Sequence, residues 1–339
     1  MTLPTDEERA AVLQSLDRMG LGAPNITLTR LSGGVSCDVW KVERKGAPAL
    51  VMKRALAQLR VAAEWRAPPA RAAAEVDWFK LVGEILPRAA PRVMGEDLAH
   101  DSFAMEYLEP AGHPLWKAEL AAGRISVEFA ARVGKDLAKI HAATAGRDEV
   151  ARRFDHGDQF HALRIEPYLL FTAGRHPDVG LRIQAIARKI ESARIALMQG
   201  DVSPKNVLMG PSGPVFLDAE TASYGDPAFD AGFCLNHLLL KCVWHPEFAP
   251  AYLQSFGALK TSYLDGADWE DRAGLDGRIA RVLSALLLAR IDGKSPVEYI
   301  TRDADKNIVR EMAKDFLLRE EISLDAIAQA WGENLAKRN

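Results

Sequence analysis

The sequence predicts an α+β fold of two lobes, a small antiparallel-sheet lobe followed by a larger, mostly helical one. Three observations predict it. The chain has 339 residues, too many for one small core and enough for two. Its N-terminal third carries β-branched and aromatic runs separated by glycine turns. From about residue 107 the apolar residues recur with helical spacing instead. The lobes are therefore placed at residues 1–106 and 107–339.

Residues 6–19 present Val12, Leu13, Leu16 and Met19 on one face, the stripe of an amphipathic helix. In ITLTRLSGGVSCDVWKVERKGAPALVMKRAL, two β-rich runs flank Gly33-Gly34 and a third follows a turn at Lys45-Gly46. This is a meander of about three strands. ARAAAEVDWFKLVGEIL reads as a helix, and DSFAMEYLEP as a strand that breaks at Pro110. In the second lobe VEFAARVGKDLAKIHAAT, GLRIQAIARKIESARIAL, GRIARVLSALLLAR and NIVREMAKDFLLR read as helices. VLM and VFLD, separated by GPSGP, form a hairpin.

Hydrophobic residues make up 48% and charged residues 26%, a balance that excludes a disordered chain. A net charge of −3 gives no basic field for nucleic acid and no acidic cleft of the kind a polycation favours. Cys37, Cys234 and Cys242 are odd in number and lack zinc or redox spacing, so they read as reduced thiols. MTLPTDEERAAVLQSL is acidic early, unlike a signal peptide, and VLSALLLA is too short to span a bilayer. A cytoplasmic protein without a nucleic-acid or membrane partner is expected, of open oligomeric state.

The chemistry concentrates in QGDVSPKNVLMGPSGPVFLDAE, residues 199–220. Strand alternation puts Asp218 and Glu220 on one side, with Leu217 and Ala219 on the other. Asp201 precedes the first strand and Asn206 enters it, so folding the hairpin brings Asn206 near Asp218. A carboxylate and an amide oxygen suit Mg²⁺, which takes few protein oxygens plus phosphate and water. Asp201 is then free to orient a hydroxyl nucleophile, the division of labour that phosphoryl transfer needs. Singly these are ordinary turn residues; together, at this spacing, they point to that chemistry. Glu75 shares a helical face with Trp78, Phe79, Val82 and Leu86, and a carboxylate on an apolar stripe needs a cationic partner. Lys53 ends the apolar run ALVM. Gly33 and Gly34 form either a hairpin turn or a loop whose backbone approaches phosphate oxygens.

QGDVSPKN resembles the H-G-D-x-x-x-x-N motif of the aminoglycoside phosphotransferase and choline kinase superfamily, with Gln199 where His is usual. FLDAETASYGDPAFDAG resembles that superfamily's metal-binding segment. The resemblance covers nearly the whole chain. It implies a protein-kinase-like two-lobed fold, ATP and Mg²⁺ as cofactors, and transfer of the γ-phosphate to a hydroxyl of a small molecule. By that resemblance Asp201 is the catalytic carboxylate, Asn206 and Asp218 hold Mg²⁺, and Asp230 braces the catalytic loop. Lys53 and Glu75 match the strand-lysine and helix-glutamate pair, and LSGGVSCDVWKV the phosphate-covering loop. Glu106 and Leu108 fall at the interlobe hinge, where the Glu106 carbonyl and the Leu108 amide would meet adenine. Ser203 and Lys205 are candidates for contact with the acceptor and the γ-phosphate.

KRALAQLRVAAEWRAPPARAAAE, AETASYGDPAFDAGFCLNHLLL and LLLARIDGKSPVEYI are similar to segments of methylthioribose kinases. They include Glu220 in an Asp-x-Glu pair, Asn236 and Arg290. That branch implies a sugar acceptor, with aminoglycosides and choline-like amino alcohols as alternatives. Arg290 equally suits the role of a cation at a helix C-terminus, and Trp65 and Trp116 that of packing or lid residues. A nucleotide-binding pseudokinase or regulator is the reading of another class; Lys53, Asp201, Asn206 and Asp218, all present, weigh against it.

Overall fold

A computed structural model describes residues 5–31, 36–56 and 71–337. Gly33, Gly34 and Trp65 lie outside the described residues. The N-lobe is a five-stranded antiparallel sheet in the order β1-β2-β3-β5-β4. Its strands are β1 (Thr27–Arg30), β2 (Cys37–Arg44), β3 (Ala47–Ala55), β4 (Val93–Asp97) and β5 (Ser102–Glu106). The β2–β3 turn falls at Lys45-Gly46, where Gly46 takes φ +78°. The edge strand β4 escapes the sequence reading for a physical reason. Only Asp97 in it is buried, so VMGED lacks the alternation that marks a strand.

Alternation along β3 sorts its side chains between two helices. Leu50 and Met52 pack with Val12 and Leu16 of α1 (Asp6–Arg18) in one cluster. Thr5 caps α1 reciprocally, its hydroxyl accepting from Glu8 N–H and its own N–H donating to the Glu8 carboxylate. Val51 belongs to the other face, where it joins Val76, Phe79 and Val82 of α2 (Arg71–Ile85). Burial of each such aliphatic or phenyl side chain contributes about 1.5–3 kcal/mol. Lys53 shares the parity of Val51, so the strand carries its amine to the α2 face.

α2 also touches the C-lobe. Trp78 meets Phe216 edge to face at 6.3 Å between ring centroids, and Phe216 N–H donates to the Ala89 carbonyl at 2.8 Å. Past the last sheet strand the chain is mostly helical, beginning with α3 (Trp116–Ala121) and α4 (Val127–Thr144). Between the helices sit two small antiparallel pairs. One joins β6 (Ala196–Met198) to β9 (Ser223–Gly225), and the other is the hairpin β7 (Val207–Gly210) and β8 (Gly213–Phe216). Long helices at Ala228–Trp244, Ala249–Gly266 and Arg272–Asp292 build the core behind them. No described helix is long and apolar enough to cross a membrane.

Two local expectations are corrected, and a segment that the sequence left unassigned winds unusually. The helix expected through Leu197 ends at Ser192, because Ala193 is extended and Ile195 N–H turns to the Gly225 carbonyl to start a strand pair. β8 ends at Phe216, so alternation does not govern Asp218 and Glu220. Residues His161–Leu170 form a π-helix with Pro167 inside it. A proline has no N–H to give to a helical ladder, and the wider winding accommodates it.

Candidate active site

The loop that carries Asp201 leaves β6 and is held by one carboxylate. Asp230 accepts from Gln199 N–H at 2.6 Å and from Gly200 N–H at 2.8 Å, with His141 at 3.4 Å. Gly200 has φ +80°, and a Cβ there would lie 2.6 Å from the Thr221 hydroxyl, so the turn requires glycine. The Gln199 side chain faces the neighbouring loop and donates to the carbonyls of Leu217 (2.6 Å) and Asp218 (3.1 Å). Its amide oxygen accepts from Asp201 N–H at 2.6 Å. Glutamine at this position thus ties both loops together.

Asp201 is buried, and its two oxygens differ. Oδ2 accepts from Asn206 Nδ2 at 2.8 Å and pairs with Arg164 (3.1 Å) and Lys205 (3.0 Å). Oδ1 has no hydrogen-bond partner among the described residues. Ser203, fully buried, also has an unpartnered hydroxyl. Asn206 Nδ2 further donates to the Asp201 carbonyl at 3.1 Å, fixing the five-residue loop internally.

Across the cleft, Lys53 Nζ lies 2.7 Å from Glu75 Oε2 and 2.5 Å from Asp218 Oδ1. Burial alone would raise the Asp218 carboxyl, but Lys53, Lys205 and Arg164 overcome it and hold the group near 2. Burial opposes a charge on Lys53 as well; the carboxylates of Asp218 and Glu75 outweigh it and keep the amine cationic. Glu75 goes the other way, pushed up to about 7 by burial against the pull of Lys53. Asp218 takes a left-handed backbone, φ +61°, strained for a residue other than glycine. That conformation, rather than a strand, turns its carboxylate to Lys53.

Glu220 points to the N-lobe by a separate route. Its Oε2 accepts from Arg71 Nε at 2.9 Å, and Arg71 is fully buried at the start of α2. Arg71 also donates to the carbonyls of Ser36 and Leu56, tying the ends of β2 and β3 to the segment that follows Asp218. Glu106 ends β5 with its side chain drawn back to Arg92, at 2.9 and 3.0 Å, and Leu108 follows in an open, half-buried segment. Trp116 is buried against Phe129, a packing residue.

Arg290 lies in the last turn of the helix Arg272–Asp292, the C-terminal position the sequence allowed. It is buried, donates to the Ser295 carbonyl and lies 5.5 Å over the Tyr168 ring. Three further residues at this site were not singled out from the sequence. Arg164 and Tyr168 sit on the π-helix, whose register the amphipathic pattern does not reveal. Arg71 lies four residues before Glu75, a spacing that places it on the same buried stripe and was legible.

Residues 27–275 match the phosphotransferase enzyme family, and the chain belongs to it. It is 22% identical over 251 residues to the methylthioribose kinase of Yersinia enterocolitica. That alignment covers 66% of this chain but 62% of the relative, under two thirds of its length. The macrolide 2′-phosphotransferase of Brachybacterium faecium superposes with a TM-score of 0.52 at 20% identity, covering 93% of this chain and 99% of that one. An amicoumacin kinase, determined in complex with AMP-PNP, Ca²⁺ and Ami, superposes with a TM-score of 0.55 at 13% identity, over 87% and 89% of the two chains. At these identities the likeness is one of fold, the two-lobed kinase-like architecture.

Proposed function

We propose that the chain is an ATP-dependent phosphotransferase that moves the γ-phosphate to a hydroxyl of a small molecule. The observation that carries this reading is the asymmetry of Asp201. One oxygen is fixed by Asn206, Arg164 and Lys205 while the other is buried without a partner, an acceptor free to take a hydroxyl proton. The family membership supports the reaction class, and the amicoumacin kinase determined with AMP-PNP supports a nucleotide between the lobes.

The donor set fits a hard divalent cation. Asp218 is held ionised and Asn206 contributes an amide, oxygen donors of the kind Mg²⁺ selects. Bound Mg²⁺ would spread and neutralise the charge of the polyphosphate. Lys53, kept cationic by Glu75 and Asp218, is the residue for the α- and β-phosphates, and Lys205 for the γ-phosphate. The Glu106 carbonyl and the Leu108 amide are the adenine contacts, and Gly33 and Gly34 the phosphate cover. Ser203 positions the acceptor, and Glu220 acts through Arg71 to seat α2. Arg290 belongs to the acceptor side. A sugar hydroxyl is the acceptor that the methylthioribose kinase relative supports. Such an enzyme works in the cytoplasm, where ATP is supplied.

The test is substrate-dependent ADP release over sugars, sugar acids, aminoglycosides and amino alcohols, with Asp201→Asn alongside. We expect turnover by the parent protein and a fall of about a hundredfold or more in the variant, with nucleotide affinity retained. Near-normal turnover by Asp201→Asn would overturn the assignment.

A further inference from the structure

A contiguous wall of side chains runs from the catalytic carboxylate into the C-lobe. Arg164, paired to Asp201, lies over the Tyr168 ring at 5.7 Å. Tyr168 meets Phe233 at 5.7 Å, and Arg290 lies over both rings, at 5.5 and 6.0 Å. Phe233 and His237, one turn apart on the helix Ala228–Trp244, contact edge to face at 5.4 Å. A turn further along, Lys241 places its amine 4.8 Å over the Tyr299 ring and 4.9 Å over that of Trp244.

The electrostatics of this wall are one-sided. Arg290 and Lys241 are 7% and 1% exposed, and neither has a carboxylate partner among the described residues. Lys241 Nζ, Arg290 Nε and His237 Nε2 are all buried without a hydrogen-bond partner. The Glu298 carboxylate pairs directly with Lys117 and reaches Lys241 and Arg290 only at longer range. Burial, then the charges of Arg290 and Lys241, hold His237 well below its ordinary value, so it stays neutral. A buried cation without a hydrogen-bonded counter-charge is costly, and two that both act on one unpartnered, buried histidine are costlier still. Aromatic faces offset part of that cost but satisfy no N–H group.

We propose that this wall is the acceptor subsite and that it takes the oxyanion, a carboxylate or phosphate, of a hydroxylated acceptor, with Lys241 and Arg290 as its counter-charges. The inference deepens the phosphotransferase reading and rests on it. It sets the chain apart from kinases of polycationic acceptors. A hydroxy acid or a phosphorylated polyol places its anion on Lys241 and Arg290 and turns a hydroxyl toward Asp201. A neutral sugar leaves both cations unpaired, and an aminoglycoside adds charge of the wrong sign.

The test needs no known substrate. Thermal unfolding of the full chain is followed at constant ionic strength in chloride, inorganic phosphate and malonate, each with saturating Mg·AMP-PNP to fill the nucleotide cleft. An anion in about hundredfold excess over its dissociation constant is expected to raise Tm by about 5 °C. Phosphate and malonate separate the two oxyanion sources. The rise should disappear in Lys241→Met and shrink in Arg290→Met. Lys241→Met, one heavy atom shorter and uncharged, should be at least as stable as the parent in chloride, so loss of the rise is not loss of the fold. No anion-dependent rise in the parent, or a rise unchanged in both variants, overturns the inference. ADP release separates the two proposals. Turnover of neutral or cationic acceptors without an anion effect sinks the subsite alone. An intact anion effect with no acceptor of any class releasing ADP sinks the phosphotransferase reading alone.

Discussion

The side-chain amide of Gln199 donates to the carbonyl of Asp218 at 3.1 Å, joining the loop that carries Asp201 to the residue that faces Lys53. The same amide reaches the Leu217 carbonyl, and its oxygen receives the Asp201 N–H. Gln199→Met keeps the length and removes every one of these bonds. It leaves buried polar groups unpaired, so we expect a stability loss of about 1–3 kcal/mol per orphaned group, seen as a lower Tm together with reduced turnover. Gln199→His restores a donor and should recover most of both. Equal behaviour of the two variants would show that the amide does not brace the loops.

Lys53 and Glu75 should behave as one unit. Lys53→Ala removes the cation that Glu75 and Asp218 share, and turnover should fall strongly while the fold persists. Glu75→Ala acts through the same contact, so turnover of the double variant should fall by less than the product of the single effects. Strictly additive free energies would separate the two residues.

The raised Glu75 carboxyl gives opposite signs for activity and stability. Its ordinary value is 4.5 and burial lifts it to about 7. A group raised in the folded state contributes stability fully below its unfolded value and loses it as pH rises through the folded one. Thermal stability attributable to Glu75 should therefore decline from pH 4.5 to above 7, and Glu75→Gln should flatten that decline. Turnover needs the ionised pair and should show an acid limb near pH 7 that Glu75→Gln abolishes. A limb unchanged in the variant assigns it to another group.

Arg71 is predicted to matter more for the fold than for chemistry. Arg71→Met leaves Glu220 buried beside a thiol 3.5 Å away and without its guanidinium. Breaking a buried pair from one side costs about 3–5 kcal/mol. Urea unfolding should show this, and Glu220→Gln in the Arg71→Met background should recover part of it. Recovery of nothing would mean that Arg71 acts through contacts other than its pair with Glu220.

The lobes and the main helices were legible because burial writes a period into the sequence. Val12 with Leu16, and Glu75 with Phe79 and Val82, announce their helices. β4 was not, because its exposed residues carry no alternation. At the site, the closeness of Asp201 and Asn206 was readable from their spacing, and a resemblance supplied the partner of Glu75. The orientation of Asp218 was not readable, since no local rule assigns a left-handed backbone to an aspartate between a leucine and an alanine. Arg164 was hidden for a related reason. A π-helix changes the residues per turn, and the 3.6 template then places side chains on the wrong face.

α2 packs at once on the N-lobe strands, through Val76 and Phe79, and on the C-lobe hairpin, through Trp78 against Phe216. It is therefore a strut between two bodies rather than an ornament of one. If the sheet rotates while the hairpin stays still, the displacement has to be taken up at the contacts of this helix. Lys53 rides on the sheet, Glu75 on the strut and Asp218 on the C-lobe, so their short contacts span all three parts and act as a latch. Cleft opening and loss of the charged triad are then one mechanical event.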